Sequence, residues 1–273
     1  MKKFLFFMAP FLLCIFLFAA CGVSPAPNDK GAVSPDPSRN TESQKGTDAA
    51  KPASGVTITC RVIEEEDGVL LLARQDGSAN DVYCLTPDDA LFSGEIQPEE
   101  GSLLEVTYSG AIQETFPAQL GSVSAIYVLD GGFDDMCQMY LSVLEDLWET
   151  DSALNSDITQ IGIDLSGTRL PPAEQAAVAW AFGEEHSLSP LEGTWEELCD
   201  QGYIDKDALS WENGCFFSIR ELETEGIHHL SPVTFDAEKW RSGDGAYFFL
   251  DCTSIQSASG AWADYQIGSE AIS

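Results

Sequence analysis

The chain has 273 residues, and its 45 acidic and 13 basic side chains give it a formal net charge of −32 at pH 7. Residues 55–273 hold seven of the basic side chains and 41 of the acidic ones, so the negative charge lies in the part predicted to fold. An acidic surface repels phosphate backbones and anionic headgroups. The composition therefore argues against a nucleic-acid partner and favours cations and basic peptides.

Residues 1–20 have the pattern of an export signal. Lys2 and Lys3 precede an apolar stretch that ends in Ala19 and Ala20. A membrane-spanning helix usually needs about 20 apolar residues, whereas this stretch is a little shorter and only polar linker follows it. We therefore predict a cleaved signal peptide rather than a permanent span.

Cys21 stands directly after the two alanines. The order Phe18-Ala19-Ala20-Cys21 resembles the lipobox of bacterial lipoproteins, with phenylalanine where leucine is usual. The resemblance implies that the Cys21 sulfur receives a diacylglyceryl group and becomes the new N-terminus, anchoring the protein on the extracytoplasmic face of the cell membrane. The alternative is an ordinary signal peptide cleaved after Ala20, which would leave a reactive free thiol at the mature N-terminus.

Residues 21–54 are predicted to form a disordered tether. Beyond Cys21 the segment has no aromatic residue, and Val23 and Val33 are its only large aliphatic side chains. So little apolar surface cannot offset the entropy lost on ordering. A flexible chain of this length has a root-mean-square span of about 30 Å.

Residues 55–131 read as short strands separated by turns, with one hairpin turning at Asp67-Gly68, so we predict a small all-β barrel. The stretch EVTYSGAIQETFPAQLGSVSAIYV resembles the OB-like domains of uncharacterised Gram-positive lipoproteins, which implies an OB-like barrel. Such barrels often bind oligonucleotides, but Arg61 and Arg74 are the only basic residues of this segment. A spacer or protein-contact role is therefore expected.

Residues 132–273 change to helices followed by strands, which predicts an α+β domain with an antiparallel sheet. FDDMCQMYLSVLEDLWE predicts an amphipathic helix, ITQIGIDL a strand and PPAEQAAVAWAF a second helix. TWEELCDQG predicts a third helix with a capping box from Thr194 to Glu197. A hairpin around residues 212–214 and the strands VTFDAEKW, GAYFFLDCTSI and WADYQIG follow. Apart from the early strand, the order is similar to cone-shaped NTF2-like lipoprotein domains, which implies a pocket beneath curled strands.

The cysteines beyond the lipobox are interpreted as buried free thiols rather than as a disulfide framework. Each of these cysteines lies on the apolar side of a predicted strand or helix, as a small buried hydrophobic side chain would. Since no CxxC pair occurs, a zinc site is not predicted. The six residues are Cys60, Cys84, Cys137, Cys199, Cys215 and Cys252.

The densest candidate binding cluster is EKWRSGDGAYFFLD, residues 238–251. It places Trp240 and Arg241 next to a turn that carries Asp244, and the polar phase of the following strand ends at Asp251. Such a cluster could fix an anionic group or stack a ring. The alternative is a turn whose cations neutralise neighbouring acids while the tryptophan packs in the core.

Histidines and carboxylates do not form a predicted metal site. His228 and His229 adjoin two glutamates, but adjacent side chains of an extended segment point in opposite directions, and a solvated loop is expected there. His186 follows Glu184 and Glu185. DKDALSWENG lacks the ligand spacing of an EF-hand loop, so calcium is not expected.

No catalytic signature occurs in the sequence, and whether the protein is an enzyme stays open. The pattern favours a lipid-anchored extracytoplasmic binding module, without a cofactor, for a peptide, an envelope component or a partner protein. One alternative is an extracytoplasmic hydrolase that uses an acidic pair such as Asp164 and Asp251. Another is a transporter solute receptor, but that class normally has two lobes of repeated strand-helix units, which this chain lacks.

Overall fold

A computed structural model describes residues 55–88, 91–92, 97–222 and 232–273. The predicted signal peptide, Cys21, the predicted tether and the pair His228 and His229 lie outside the described residues. All described residues belong to one compact unit. None of the helices in these ranges has the length and apolar character that a membrane span needs.

Six strands form the first sheet: β1 (Val56–Glu66), β2 (Val69–Arg74), β3 (Val82–Leu85), β4 (Leu103–Ser109), β5 (Ala118–Gln119) and β6 (Ser122–Val128). Their order is β5-β3-β2-β1-β4-β6, and all pairs are antiparallel except β3 with β5. The long strand β1 pairs with β4 along its first half and with β2 along its second half. The two edge strands, β5 and β6, are consecutive in the chain with two residues between them.

The hairpin predicted at Asp67-Gly68 is confirmed. Both residues have positive φ, 51° and 80°, as a tight two-residue turn requires, and the turn joins Glu66 of β1 directly to Val69 of β2. Alternate side chains of the first sheet then fill a core of their own, in which Cys60 and Leu104 are fully buried. One phase of the strands thus forms this core, and residues of the other phase, such as Ile63 and Leu71, are buried on the opposite face.

Three helices follow in the chain: α1 (Met136–Glu149), α2 (Pro172–Glu185) and α3 (Trp195–Asp200). The first starts later than predicted, because Asp134 and Asp135 accept hydrogen bonds from the side chain and the backbone of Trp262. The second begins at a proline, where a missing amide hydrogen does no harm. In the third, the predicted capping box between Thr194 and Glu197 is confirmed.

The second sheet has six strands: β7 (Gln160–Gly167), β8 (Pro190–Glu192), β9 (Gly214–Glu221), β10 (Val233–Ser242), β11 (Gly245–Ser254) and β12 (Ser269–Ile272). Their order is β12-β11-β10-β9-β7-β8. The sheet is antiparallel except that β7 runs parallel to both β8 and β9, since α2 and α3 form crossovers there. Residues 262–268, predicted as the last strand, form isolated bridges, and β12 lies beyond them.

The hairpin predicted around residues 212–214 is wrong. Ser210 pairs with Ser242 of β10 instead of with β9. Trp211 is turned into the core, and its ring lies over Gly214 so closely that a Cβ there would collide with it. Glycine at this position therefore serves the packing of the tryptophan.

Helices α1 and α2 pack between the two sheets. One buried cluster joins Ile63 and Leu71 of the first sheet to Tyr140 of α1, Phe182 of α2 and Phe217 of the second sheet. α2 contacts β1, β2 and β3 on one side and β7 and β8 on the other. The helical layer is therefore shared by both sheets.

A buried ion pair links the first sheet to α2. Arg61 of β1 donates from Nε to Oε1 of Glu174 at 3.0 Å, and the two side chains are 10 % and 6 % exposed. The Arg61 Nη1 group donates to the backbone carbonyls of Gly101, Gly132 and Asp134. The guanidinium thus ties β1, the loop before β4 and the segment before α1 to one carboxylate.

A buried lysine links the second sheet to α1. Nζ of Lys239 on β10 donates to the carbonyls of Leu147, Trp148, Thr150 and Asp151 at 2.8 to 3.2 Å. These carbonyls lie at the C-terminal end of α1, where the helix carries partial negative charge. Desolvation lowers the pKa of Lys239.

The six cysteines of the described part are free thiols, and four of them, Cys60, Cys137, Cys215 and Cys252, are buried. Burial raises the pKa of Cys60 and of Cys215 to about 12. Such thiols stay protonated at neutral pH and are poor nucleophiles. The structure gives these cysteines a packing role.

We predict that Glu174→Ala lowers the free energy of unfolding by about 3 kcal/mol or more, because it leaves the buried Arg61 charge without its partner. The measurement is urea unfolding followed by circular dichroism. As a matched control, Asp76→Ala removes the acid of the exposed Arg74–Asp76 pair and should change stability far less. Equal effects of the two changes would contradict the role given to the buried pair.

Candidate functional site

The two faces of the second sheet are covered to different extents. α1 and α2 bury one face. On the opposite face α3 and the segment after it form a smaller core with Trp211, Phe216 and Trp240. The rest of that face is open and forms a groove of about 600 Å³, which we call the sheet groove.

The floor of the sheet groove is one row of aligned strand residues. Asp164 of β7 pairs with Ser218 of β9, which pairs with Glu238 of β10, which pairs with Phe248 of β11. Because side chains alternate along a strand, all four project from the face that the helices leave uncovered. Polar and aromatic groups therefore meet in the middle of the groove.

The wall at one end of the sheet groove comes from α3. Trp195, its first residue, packs edge-on against Trp240 with ring centroids 5.8 Å apart. The Lys206 ammonium lies 5.9 Å from the Trp195 ring. With Phe216 and Phe248 among the lining residues, this end of the groove is apolar.

Two carboxylates of the sheet groove have hydrogen-bond donors within the protein. Oδ1 of Asp164 accepts from the backbone amide and the hydroxyl of Ser166 at 2.9 and 2.6 Å. Oδ1 of Asp236 accepts from the backbone amide of Asp251 at 2.9 Å, and its other oxygen lies 3.6 Å from the Arg220 guanidinium. Both side chains therefore have hydrogen-bond donors, and Asp236 also has a cation nearby.

Glu238 differs from these two carboxylates. It is half-buried, and no described residue donates a hydrogen bond to it. Burial raises the pKa of Glu238, and the charge of Arg220 opposes that shift only in part. An ionisable group that is desolvated without a partner inside a cleft is a typical feature of functional sites.

The four residues of the predicted binding cluster do not converge on one ligand site. Trp240 is 8 % exposed and belongs to the core beside α3. Nη1 of Arg241 donates to carbonyls that follow α1, and its Nη2 donates to Glu212, so the guanidinium is already engaged. Asp244 lies in the exposed β10–β11 turn, and Asp251 lies beside the groove with its backbone amide bound to Asp236. Alternation along β10 separates the cluster, since Arg241 and Trp240 project to opposite faces.

The acidic pair Asp164 and Asp251 is not assembled. β9 and β10 separate β7 from β11, so the two strands lie about 14 Å apart. Acid and base pairs of glycosidases need carboxyl groups within about 5 to 9.5 Å. These two residues therefore cannot work on one bond.

Histidines and carboxylates of the described ranges do not gather into a possible metal site of three or more ligands. Nε2 of His186 instead donates a hydrogen bond to the Glu145 carboxylate at 3.1 Å, and the imidazole stacks on Trp148 with ring centroids 3.8 Å apart. The pair His228 and His229 lies outside the described residues.

A second cavity, of about 490 Å³, lies between α1 and residues 262–267. Its polar groups are largely paired with one another: Tyr265 donates to Asp146 at 2.6 Å, and the Trp262 backbone amide donates to Asp135. Such internal pairing holds the C-terminal segment against the helix. The sheet groove is the better candidate site because Glu238 has no such partner among residues 55–88, 91–92, 97–222 and 232–273.

No protein-family model matches the chain, and neither does a curated protein or a solved structure. What the sheet groove can bind is therefore inferred from its own shape, charge and hydrogen bonds.

The candidate cluster of residues 238–251 contains Glu238 and Phe248, but sequence reasoning did not name them as site residues, and it missed Ser218 entirely. A signal was present in VTFDAEKW, where two acidic residues, Asp236 and Glu238, share the strand phase of Trp240, while the opposite phase holds three apolar residues and one lysine. That alternation shows an acidic side chain on a partly apolar face. It does not show which strands bring Ser218 and Phe248 alongside.

We predict that Glu238→Gln raises the free energy of unfolding by about 0.5–1 kcal/mol at pH 8. A carboxyl group with a raised pKa in the folded state stabilises the protein at low pH, and that stabilisation is lost as the pH rises through the raised pKa. The gain from the amide should therefore shrink towards pH 4. Urea unfolding at both pH values measures it, with the exposed Glu114→Gln as control. A variant less stable than the wild type at pH 8 would show that Glu238 is satisfied by the protein.

Proposed function

We propose that the chain is a lipoprotein, anchored through an acylated Cys21 to the extracytoplasmic face of the cell membrane, whose folded part binds a peptide or a partner protein in the sheet groove. The lipobox pattern and the polar segment after it support the anchor. The strongly acidic composition supports a protein or peptide ligand over nucleic acid. No cofactor is required for this role.

The observation that carries the binding role is the open face of the second sheet. A sheet normally buries at least one face. Here α1 and α2 bury one face, and the part of the other face that α3 does not cover is open to a ligand. Aromatic side chains line it beside Glu238, whose carboxylate lacks a hydrogen-bond donor among the described residues. Aromatic anchors with a few unsatisfied polar groups are characteristic of binding sites.

We also propose that the first sheet is an OB-like barrel that acts as a spacer or support. The long β1 shared by β2 and β4, the parallel pair β3–β5 and the short link from β5 to β6 favour curling of this sheet. Its position against α2 supports a structural role.

We predict that Cys21→Ala moves the protein from the membrane fraction to the soluble extracellular or periplasmic fraction. Without the thiol there is no site for the diacylglyceryl group, so ordinary cleavage of the signal peptide after Ala20 would release the protein without an anchor. Fractionation and intact-mass measurement test this, and Cys14→Ala is a control that leaves the lipobox intact. An unmodified Cys21 in the wild-type membrane fraction would contradict the anchor.

We predict that filling the sheet groove abolishes ligand binding. Ser218→Trp places an indole between Asp164 and Glu238, whereas Ser124→Trp adds the same ring to an exposed strand of the first sheet. Random hexapeptides displayed on phage are selected on the wild-type protein and then tested on both folded variants. Selected peptides should bind the Ser124→Trp variant as they bind the wild type. Their affinity for the Ser218→Trp variant should be at least about tenfold lower. Peptides that bind both variants equally would place the ligand elsewhere.

A further inference from the structure

The sheet groove contains a half-buried carboxylate, Glu238, to which no described residue donates a hydrogen bond. Asp164 has Ser166 as a donor, and Asp236 has the backbone amide of Asp251. Glu238 has no hydrogen-bond donor among the described residues. The nearby Arg220 guanidinium acts on it only through its charge and lies 3.6 Å from Asp236. A desolvated carboxylate without a partner is costly, so a cation that reaches Glu238 would gain a charge-assisted hydrogen bond.

The immediate neighbours of Glu238 suit a side chain that is apolar along its stem and charged at its end. Its cross-strand neighbours are Ser218 on β9 and Phe248 on β11. Phe216 lies two residues from Ser218 on the same face. Lysine and arginine pack their methylene stems on such surfaces while the charged end meets a carboxylate.

The shape of the sheet groove fits an extended chain. Along β9 it runs from Arg220 to Phe216, four residues or about 13 Å, which accommodates about four residues of an extended peptide. The groove is partly open to solvent. Among the described residues that line it, the carboxylates outnumber the cations, of which Arg220 is one, so charge complementarity selects a cationic ligand.

On the basis of the proposed function, we infer that the groove binds an extended segment of a protein partner that places a lysine or arginine side chain against Glu238 and Phe248 and an apolar side chain, two residues away, at the apolar end of the groove beside Trp195 and Phe216. The spacing follows from the strand period, because side chains two residues apart project to the same side. The ligand is thus a short basic-apolar peptide motif.

The test uses N-acetylated, C-amidated hexapeptides with leucine at position 2 and either lysine or the uncharged norleucine at position 4. Binding to the folded protein is measured by fluorescence anisotropy of the labelled peptides. The wild type should bind the lysine peptide about tenfold more tightly than the norleucine peptide, the range typical of one hydrogen bond to a charged group. Glu238→Gln should reduce this preference to about twofold or less.

Glu114→Gln is the matched control, because it removes the same single charge from an exposed loop of the first sheet. It should keep the tenfold preference for lysine. An equal loss in both variants would mean that the general negative field attracts the peptide, and it would overturn the inference. So would a preference for lysine that Glu238→Gln leaves unchanged.

The phage selection separates the two proposals. Suppose that enriched peptides lose binding to the Ser218→Trp variant but contain no excess of lysine or arginine. This result would overturn the cationic motif and leave the groove as the binding site. If no enriched peptide binds the Ser218→Trp variant more weakly than the wild type, the groove is not a peptide site, and both proposals fail.

Discussion

The hydrogen bonds from Lys239 to the end of α1 fix the strand on which the candidate site is built. The ammonium group takes four backbone carbonyls and lies within the helical layer. Since side chains alternate along β10, directing Lys239 to the helices directs Glu238 and Trp240 to the opposite face. A one-residue slip of β10 would place a carboxylate in the core and a lysine in the groove, so the core contact determines what the groove presents.

The same contact explains how an acidic protein keeps a buried cation. Burying a charge without partners is costly, and the carbonyls at the end of α1 supply both hydrogen bonds and partial negative charge. The chain uses Arg61 in a comparable way between the first sheet and α2. Both cations therefore connect layers, and neither is free to bind a ligand. Glu238 contrasts with them, because no described residue donates a hydrogen bond to its half-buried carboxylate, a feature common at functional sites.

Local signals in the sequence predicted the elements whose cause is local. The turn at Asp67-Gly68 and the capping box from Thr194 to Glu197 depend on residues within four positions, and both are confirmed. The apolar stripe of α1 likewise predicted a helix, although its start was misplaced, because Asp134 is used by Trp262, 128 residues away.

Features that depend on distant partners could not be predicted. Lys239 is separated from its carbonyl acceptors by about 90 residues. Because the sequence does not show these acceptors, it indicates a candidate ligand cluster around Lys239, Trp240 and Arg241. Asn213-Gly214 has the local signature of a hairpin turn, but packing of Trp211 against the glycine overrides it. The sheet groove depends on how β7, β9, β10 and β11 are aligned with one another. The residue pattern along a single strand does not determine that alignment.

The most direct test is the titration of the Glu238 side-chain carboxyl by ¹³C NMR, with the resonance assigned by its loss in Glu238→Gln. The account predicts a midpoint above the usual range for glutamate in the free protein, and a fall in that midpoint when a lysine-containing peptide is bound. A midpoint within the usual range in the free protein would show a well-solvated or already paired carboxylate and would contradict the account.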